Sequence, residues 1–305
     1  MTSTRRTGLL LALATACISG FAVFLNGYGV KAFGNASVYT TAKNLVAAAV
    51  LLAVVTLGRG AGARVTRPEG TRQWLGLVTV GVIGGSVPFL LFFEGLARAS
   101  SVQSAFIHKT LVVWVAVLAV ALLGERMSAF HWVAIGLLVI GQIGLVGGVS
   151  TDLGSGELMI LAATLFWSVE VIVAKRLLAG VSSWTVGLAR MGIGSILLVA
   201  WVVVRGQASM LLSMDATQWG WVLLTGVILA AYVATWFAAL ARAQALDVTA
   251  VLVLGALVTA ALQATVQGVG VAPQLVWLAM LLSGGMLVSW RVWSAPETLP
   301  REVGV

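Results

Sequence analysis

The chain has 305 residues, 60% of them hydrophobic and 9% charged, with a mean hydropathy of +1.05. A soluble domain carries about 25% charged residues, so this composition indicates an integral membrane protein. The net charge of +8 does not point to nucleic acid, because the basic residues form no stripe with interleaved aromatics and fall mostly between apolar runs.

A spanning helix needs roughly 20 apolar residues. Ten apolar segments follow one another, at 8–28, 37–58, 73–97, 101–123, 130–149, 156–179, 183–204, 218–241, 248–268 and 273–292. They are too long and continuous for barrel strands, so the expected fold is an all-α membrane protein of ten transmembrane helices. The first segment opens like a signal peptide, with Arg5 and Arg6 before an apolar stretch and a small-residue site at Cys17. It runs on through Phe21 to Leu25, beyond a typical signal core, and reads as the first spanning helix. Cys17 is the only cysteine, which excludes an intrachain disulfide; with two histidines, ordinary zinc spacings are also absent. No metal or other cofactor is expected.

The cationic residues set the orientation. With the N-terminus in the cytoplasm, Arg5, Arg6, Arg59, Arg64, Arg67, Arg72, Arg126, Lys175, Arg176, Arg242, Arg291 and Arg301 fall inside. Lys31, Arg98 and Arg205 fall outside, while Lys43, Lys109 and Arg190 lie within segments. This bias places both termini in the cytoplasm and requires an even number of spans in the cytoplasmic membrane.

The segments also repeat. Leu96-Ala97-Arg98-Ala99 recurs as Leu240-Ala241-Arg242-Ala243, Gly81-Val82-Ile83 as Gly226-Val227-Ile228, and Ala42-Lys43 as Ala189-Arg190. Helices 1–5 (residues 1–150) therefore align with helices 6–10 (residues 151–305). A five-helix unit is odd, so its second copy enters the membrane from the opposite side. Inverted repeats of this kind underlie alternating access in many secondary transporters.

The stretch 122–146, "LLGERMSAFHWVAIGLLVIGQIGLV", with Gly124-Glu125 closing helix 4 and Gly136, Gly141 and Gly144 in helix 5, resembles the EamA-like branch of the drug/metabolite transporter superfamily. The "LARA" segment before helix 4 fits the same pattern. Two departures stand out. Where the family often has a proline early in helix 4, the chain reads His108-Lys109-Thr110-Leu111-Val112, and the second half has Gly268-Val269-Gly270 in place of Gly-Glu. The resemblance implies a transporter, often an exporter of metabolites or amino acids, without naming the substrate.

An ionisable side chain at bilayer depth costs about 2.5–3.5 kcal/mol on insertion scales and usually faces a cavity or a partner. At ~1.5 Å per residue, Lys109 lies about 12 Å, Lys43 about 9 Å and Glu94 about 5 Å from the outer ends of their helices. Arg190 and Glu170 lie about 12 and 13 Å from the inner ends of theirs. Glu170 is expected to pair with Arg190, and Glu94 with Lys43 or Lys109. Two lysines against one shallow acid leave positive charge for a substrate carboxylate. Lys109 is the leading substrate-path residue. Adjacent helical residues point about 100° apart, so His108 faces elsewhere and is the weaker candidate. Asn26, Tyr28 and Asn44 add polar groups, and Trp167 shares a helix face with Glu170 at i+3. Packing roles compete with function for these residues: amide glue for the asparagines, snorkelling for Glu94, and a purely structural pair for Glu170 and Arg190.

The chain has no P-loop, G-x-S-x-G elbow or H-E-x-x-H motif, so neither an ATP-driven pump nor a hydrolase is expected. The sequence points to a secondary transporter of a small amino-acid-like or amphipathic metabolite. Its environment is membrane lipid, its coupling is either to protons or absent, and it acts as a monomer or homodimer. A non-transporting membrane protein, such as a lipid-handling or assembly factor, is the alternative.

Overall fold

A computed structural model describes residues 2–294 except 59–61, 100, 146, 148–153, 269 and 271. Arg59, Arg301, Gly148 and Val269 lie outside the described residues, as does the side chain of Arg291. Among the described residues every regular element is helical. The first half comprises α1 (Thr2–Phe33), α2 (Ala36–Leu57), α3 (Gly70–Ile83), α4 (Val87–Leu96), α5 (Ser101–Lys109), α6 (Leu111–Leu118), which continues into a π-helical turn at Ala119–Leu123, and α7 (Ala129–Leu145). The second half comprises α8 (Ser155–Leu177), α9 (Ser183–Val204), the short α10 (Ala208–Leu212), α11 (Ala216–Leu240), α12 (Ala245–Leu252), α13 (Gly255–Gln267) and α14 (Leu275–Ser294).

Nine stretches among the described residues are long and apolar enough to cross a bilayer, and α7, with 17 residues, is a shorter apolar helix. The chain is thus a multi-pass membrane protein. The spans start and stop where local chemistry allows. The side chains of Asn35, Ser182 and Asp215 accept backbone N–H groups in the first turns of α2, α9 and α11, satisfying donors that a helix start leaves open. Gly124 and Gly268, 144 residues apart, close the fourth and ninth segments in the left-handed conformation, with φ of 67° and 68°, which favours glycine.

Three segments expected to be continuous are broken. The third breaks at Gly84–Ser86, the fourth at Thr110 and the ninth at Val253–Leu254. Thr110 and Leu254 are again 144 residues apart, so this interruption is a property of the repeat. The break in the third segment is a property of one copy only, since α11 runs unbroken through the equivalent residues. Its cause is Pro88 at the start of α4, which has no N–H for the Gly84 carbonyl four residues back and crowds it with its ring. α11 has no proline there, and α9 crosses at the break so closely that a methyl group on Gly85 would overlap the Arg190 carbonyl oxygen.

The main helix contacts join one half to the other: α1 with α11, α7 with α14, α4 with α8, and α2 with α9 and α11. The first residues of α12 meet Glu125, just past the end of the fourth segment. The ninth segment therefore runs antiparallel to the fourth. Replacing Gly85 by valine would force α9 away from the α3–α4 break. We expect Gly85→Val to lose about 1–3 kcal/mol to overpacking, read as a lower thermal unfolding midpoint in detergent.

Candidate functional site

The broken third and fourth segments, with α1, α2, α8, α9 and α11, surround a central cavity of about 160 Å³. That is enough for a small organic molecule: a cavity of roughly 150 Å³ accommodates benzene. Its walls are largely aromatic, with Phe89, Phe92 and Phe93 from α4, Trp167 from α8, and Tyr232 and Trp236 from α11. Trp167 meets Phe89 edge-on at 5.5 Å between centroids. Its indole N–H donates to the carbonyl of Gly84 at 3.1 Å, a backbone acceptor left open because residue 88, four on, is a proline without an N–H.

Glu170 and Arg190 are both buried, and they pair as expected. Arg190 Nε donates to Glu170 Oε1 at 2.7 Å, and Nη2 lies 3.5 Å from Oε2. The pair crosses from α8 to α9, and the guanidinium carbon stands 5.4 Å from the Phe89 ring centre. Lys43 is 3% exposed. Its ammonium donates to Asn26 Oδ1 at 3.1 Å and lies 4.5 Å from the Phe93 ring centre. The Tyr39 hydroxyl lies 2.6 Å from the same Asn26 oxygen. Among the described residues, no carboxylate forms an ion pair with Lys43. The cavity thus combines a neutralised pair with a second cation held by one amide oxygen and aromatic faces.

The other sequence candidates sit in different places. Glu94 does not pair with either lysine. It bridges to Arg98 one turn on at 3.1 Å and accepts from Ser37, because its shallow position at the end of α4 puts Arg98 within reach. His108 lines the central cavity beside Trp167, 5.0 Å between ring centres, and its buried Nδ1 has no hydrogen-bond partner among the described residues. Lys109 does not line that cavity. It faces a second one, of about 530 Å³, between α1, α5, α7 and α13. The helical turn thus separates these neighbours as expected, with His108 on the central cavity and Lys109 on the second one. Tyr28 lines the second cavity too, stacked on Trp221 and accepting from Gln267 at 2.9 Å. Asn44 is fully buried and donates to the Thr40 carbonyl, away from the central cavity.

Sequence reasoning missed a polar cluster at the end of the bundle where α1 begins. Asp247, at the start of α12, receives Arg5 at 2.8 Å and His131 Nε2 at 3.1 Å. Glu125 accepts the backbone N–H groups of Ala245 and Leu246, at 2.8 and 3.1 Å. Lys175 donates to the carbonyls of Leu240 and Ala243, both at 2.6 Å. Asp247, Glu125 and their partners tie the two halves together at this end. The available signal was an acid in the otherwise apolar run "QALDVTAVLVLG".

The sequence model of the EamA-like transporter family matches this chain twice, over residues 6–147 and 154–291. The chain belongs to that family. The double match establishes the two-repeat architecture and is consistent with the drug/metabolite transporter superfamily, whose members are transporters rather than enzymes. No curated protein matches significantly. A crystal structure described only as that of a protein superposes with a TM-score of 0.72 at 17% identity, over 95% of this chain and all of that one. At that identity the likeness shows the fold alone.

The Glu170–Arg190 pair generates a clear test. Removing one partner of a buried pair leaves an uncompensated charge and costs about 3–5 kcal/mol. We expect Glu170→Gln alone to be strongly destabilising, and Glu170→Gln combined with Arg190→Met to regain most of that loss, in a thermal-unfolding double-mutant cycle.

Proposed function

We propose that this EamA-family protein is a secondary transporter of a small amphipathic metabolite bearing a carboxylate, such as an amino acid or a related compound. The observation carrying this reading is Lys43: a cation 3% exposed on the wall of an aromatic cavity, without a carboxylate partner. A substrate carboxylate would supply the missing counter-charge, while its apolar part lies against Phe92, Phe93 and Trp167. Glu170 and Arg190 already neutralise one another, so they shape the site without competing for that anion. His108 adds a ring nitrogen without a partner, suited to a polar group on the substrate.

The architecture supports alternating access between two inverted five-helix units, 1–150 and 151–305, ten spans in all. Broken helices beside a central cavity are a recurring feature of such transporters. In this reading the Asp247 cluster is the latch that holds one end shut. The cationic bias of the loops places that end, and both termini, in the cytoplasm. The membrane is the cytoplasmic membrane, and export is the direction favoured by the family resemblance. Coupling to protons through Glu170 or His108 is one route, and uncoupled exchange is the other.

Two measurements test this. The first is uptake of a panel of radiolabelled amino acids and related carboxylates in proteoliposomes, with and without a pH gradient. Wild type should give saturable uptake, Lys43→Met should abolish it, and Lys109→Ala should raise KM. If no compound in the panel is transported, the reading fails. The second uses Ser19→Cys in a Cys17→Ser background, which places a thiol on the cavity wall. Adding Asp247→Asn should speed labelling by an impermeant maleimide from the N-terminal side several-fold. Unchanged labelling would remove Asp247 as a latch.

A further inference from the structure

We propose that the chain holds a second anion site, outside the central cavity, where the Lys109 ammonium and the Gln142 amide bind the carboxylate of a small amphipathic molecule. The two residues come from different helices, α5 and α7, yet both line the same cavity of about 530 Å³ and the same small gap of about 10 Å³ behind it. Gln142 is 6% exposed, and its Nε2 has no hydrogen-bond partner. Lys109 makes no ion pair among the described residues. A buried amide N–H and an ammonium that line the same gap are both donors, and neither donates to an acceptor among the described residues.

The rest of the wall adds a cation and mixed amides but no anion. Lys31 also lines it, Gln263, Gln267 and Gln274 bring amides that both donate and accept, and among the described residues no aspartate or glutamate lines it. A carboxylate only accepts hydrogen bonds, through two oxygens with about four lone-pair sites, so it complements such a wall where a cation would not. The apolar residues Val23, Phe24 and Leu145 supply a surface for the remainder of the molecule. Val23 also lines the central cavity, so this site adjoins the one at Lys43 on the side away from the Asp247 cluster. A place on the transport route rests on the proposed function; binding itself does not. The competing occupant is one water in the small gap, which is large enough for it, bridging Lys109 and Gln142.

The test is equilibrium dialysis of radiolabelled benzoate against the purified full chain in nanodiscs, with benzylamine as a competitor. Wild type should bind two benzoates, and benzylamine should displace neither. Lys109→Met and Gln142→Leu should each bind one, Lys43→Met should lose the other, and Lys109→Arg should keep two. Thermal unfolding of every variant separates lost binding from lost fold, and Lys109→Arg guards against a packing defect at this position. The proposal is overturned if Lys109→Met binds as wild type does. It is also overturned if wild type binds only one benzoate that Lys43→Met removes, or none. Uptake is scored separately on the same preparations. Two benzoates without uptake of any compound would sink the transport reading and leave this site standing. Uptake with a single, Lys43-dependent benzoate would do the reverse.

Discussion

An arginine inside an apolar bundle needs a counter-charge at hydrogen-bonding distance. Much of the central architecture follows from meeting that need for Arg190. Glu170 provides the counter-charge from the neighbouring helix at 2.7 Å, which fixes the relative rotation of α8 and α9. The backbone around Arg190 then lies so close to Gly85 that the third segment has no room for a side chain there. Pro88 breaks the segment at the same place and leaves the Gly84 carbonyl for Trp167, and the phenylalanines of α4 line the cavity. One buried ion pair thus lies where a fixed helix rotation, a proline-induced break and an aromatic wall meet. Buried pairs are rarely a large net source of stability; here the pair fixes geometry.

Parts of this were legible in the sequence for simple reasons. Charges are so scarce in apolar runs that Glu170 and Arg190, at matched depth, had few other partners available. The repeat was visible because Leu-Ala-Arg-Ala recurs, and Gly124 and Gly268 prove to terminate equivalent segments in the same backbone conformation. Other features were not legible. The depth of Lys109 and His108 could be counted, but their facing depends on how the fourth segment rotates and breaks at Thr110, which no periodicity reports. Glu94 was assigned to a lysine because charge counting ignores distance, while Arg98 sits four residues on, in the turn just past the end of the same helix. Asp247 escaped notice because its partners, Arg5 and His131, are 242 and 116 residues away in sequence.

The two copies agree in their outline and differ in their chemistry. Both carry a broken segment and a left-handed closing glycine at equivalent positions, and both carry a cation at the matching place, Lys43 in one and Arg190 in the other. Only the arginine has an acid beside it. Only the first copy follows its closing glycine with a glutamate, and that glutamate caps the start of α12 in the other copy. The repeat supplies the scaffold, and departures from it create the features that distinguish one end of the protein from the other.

The mirrored breaks carry a further consequence. Thr110 lies nine residues from the start of its segment, as Leu254 does from the start of its own, but the two segments run in opposite directions. The interruptions therefore sit at reflected depths, one nearer each surface of the bilayer. A conformation adopted by one copy can in principle be adopted by the other, with its effect transferred to the far surface. In the proposed alternating-access cycle, the state facing the opposite way is then obtained by letting each half take the other's present conformation.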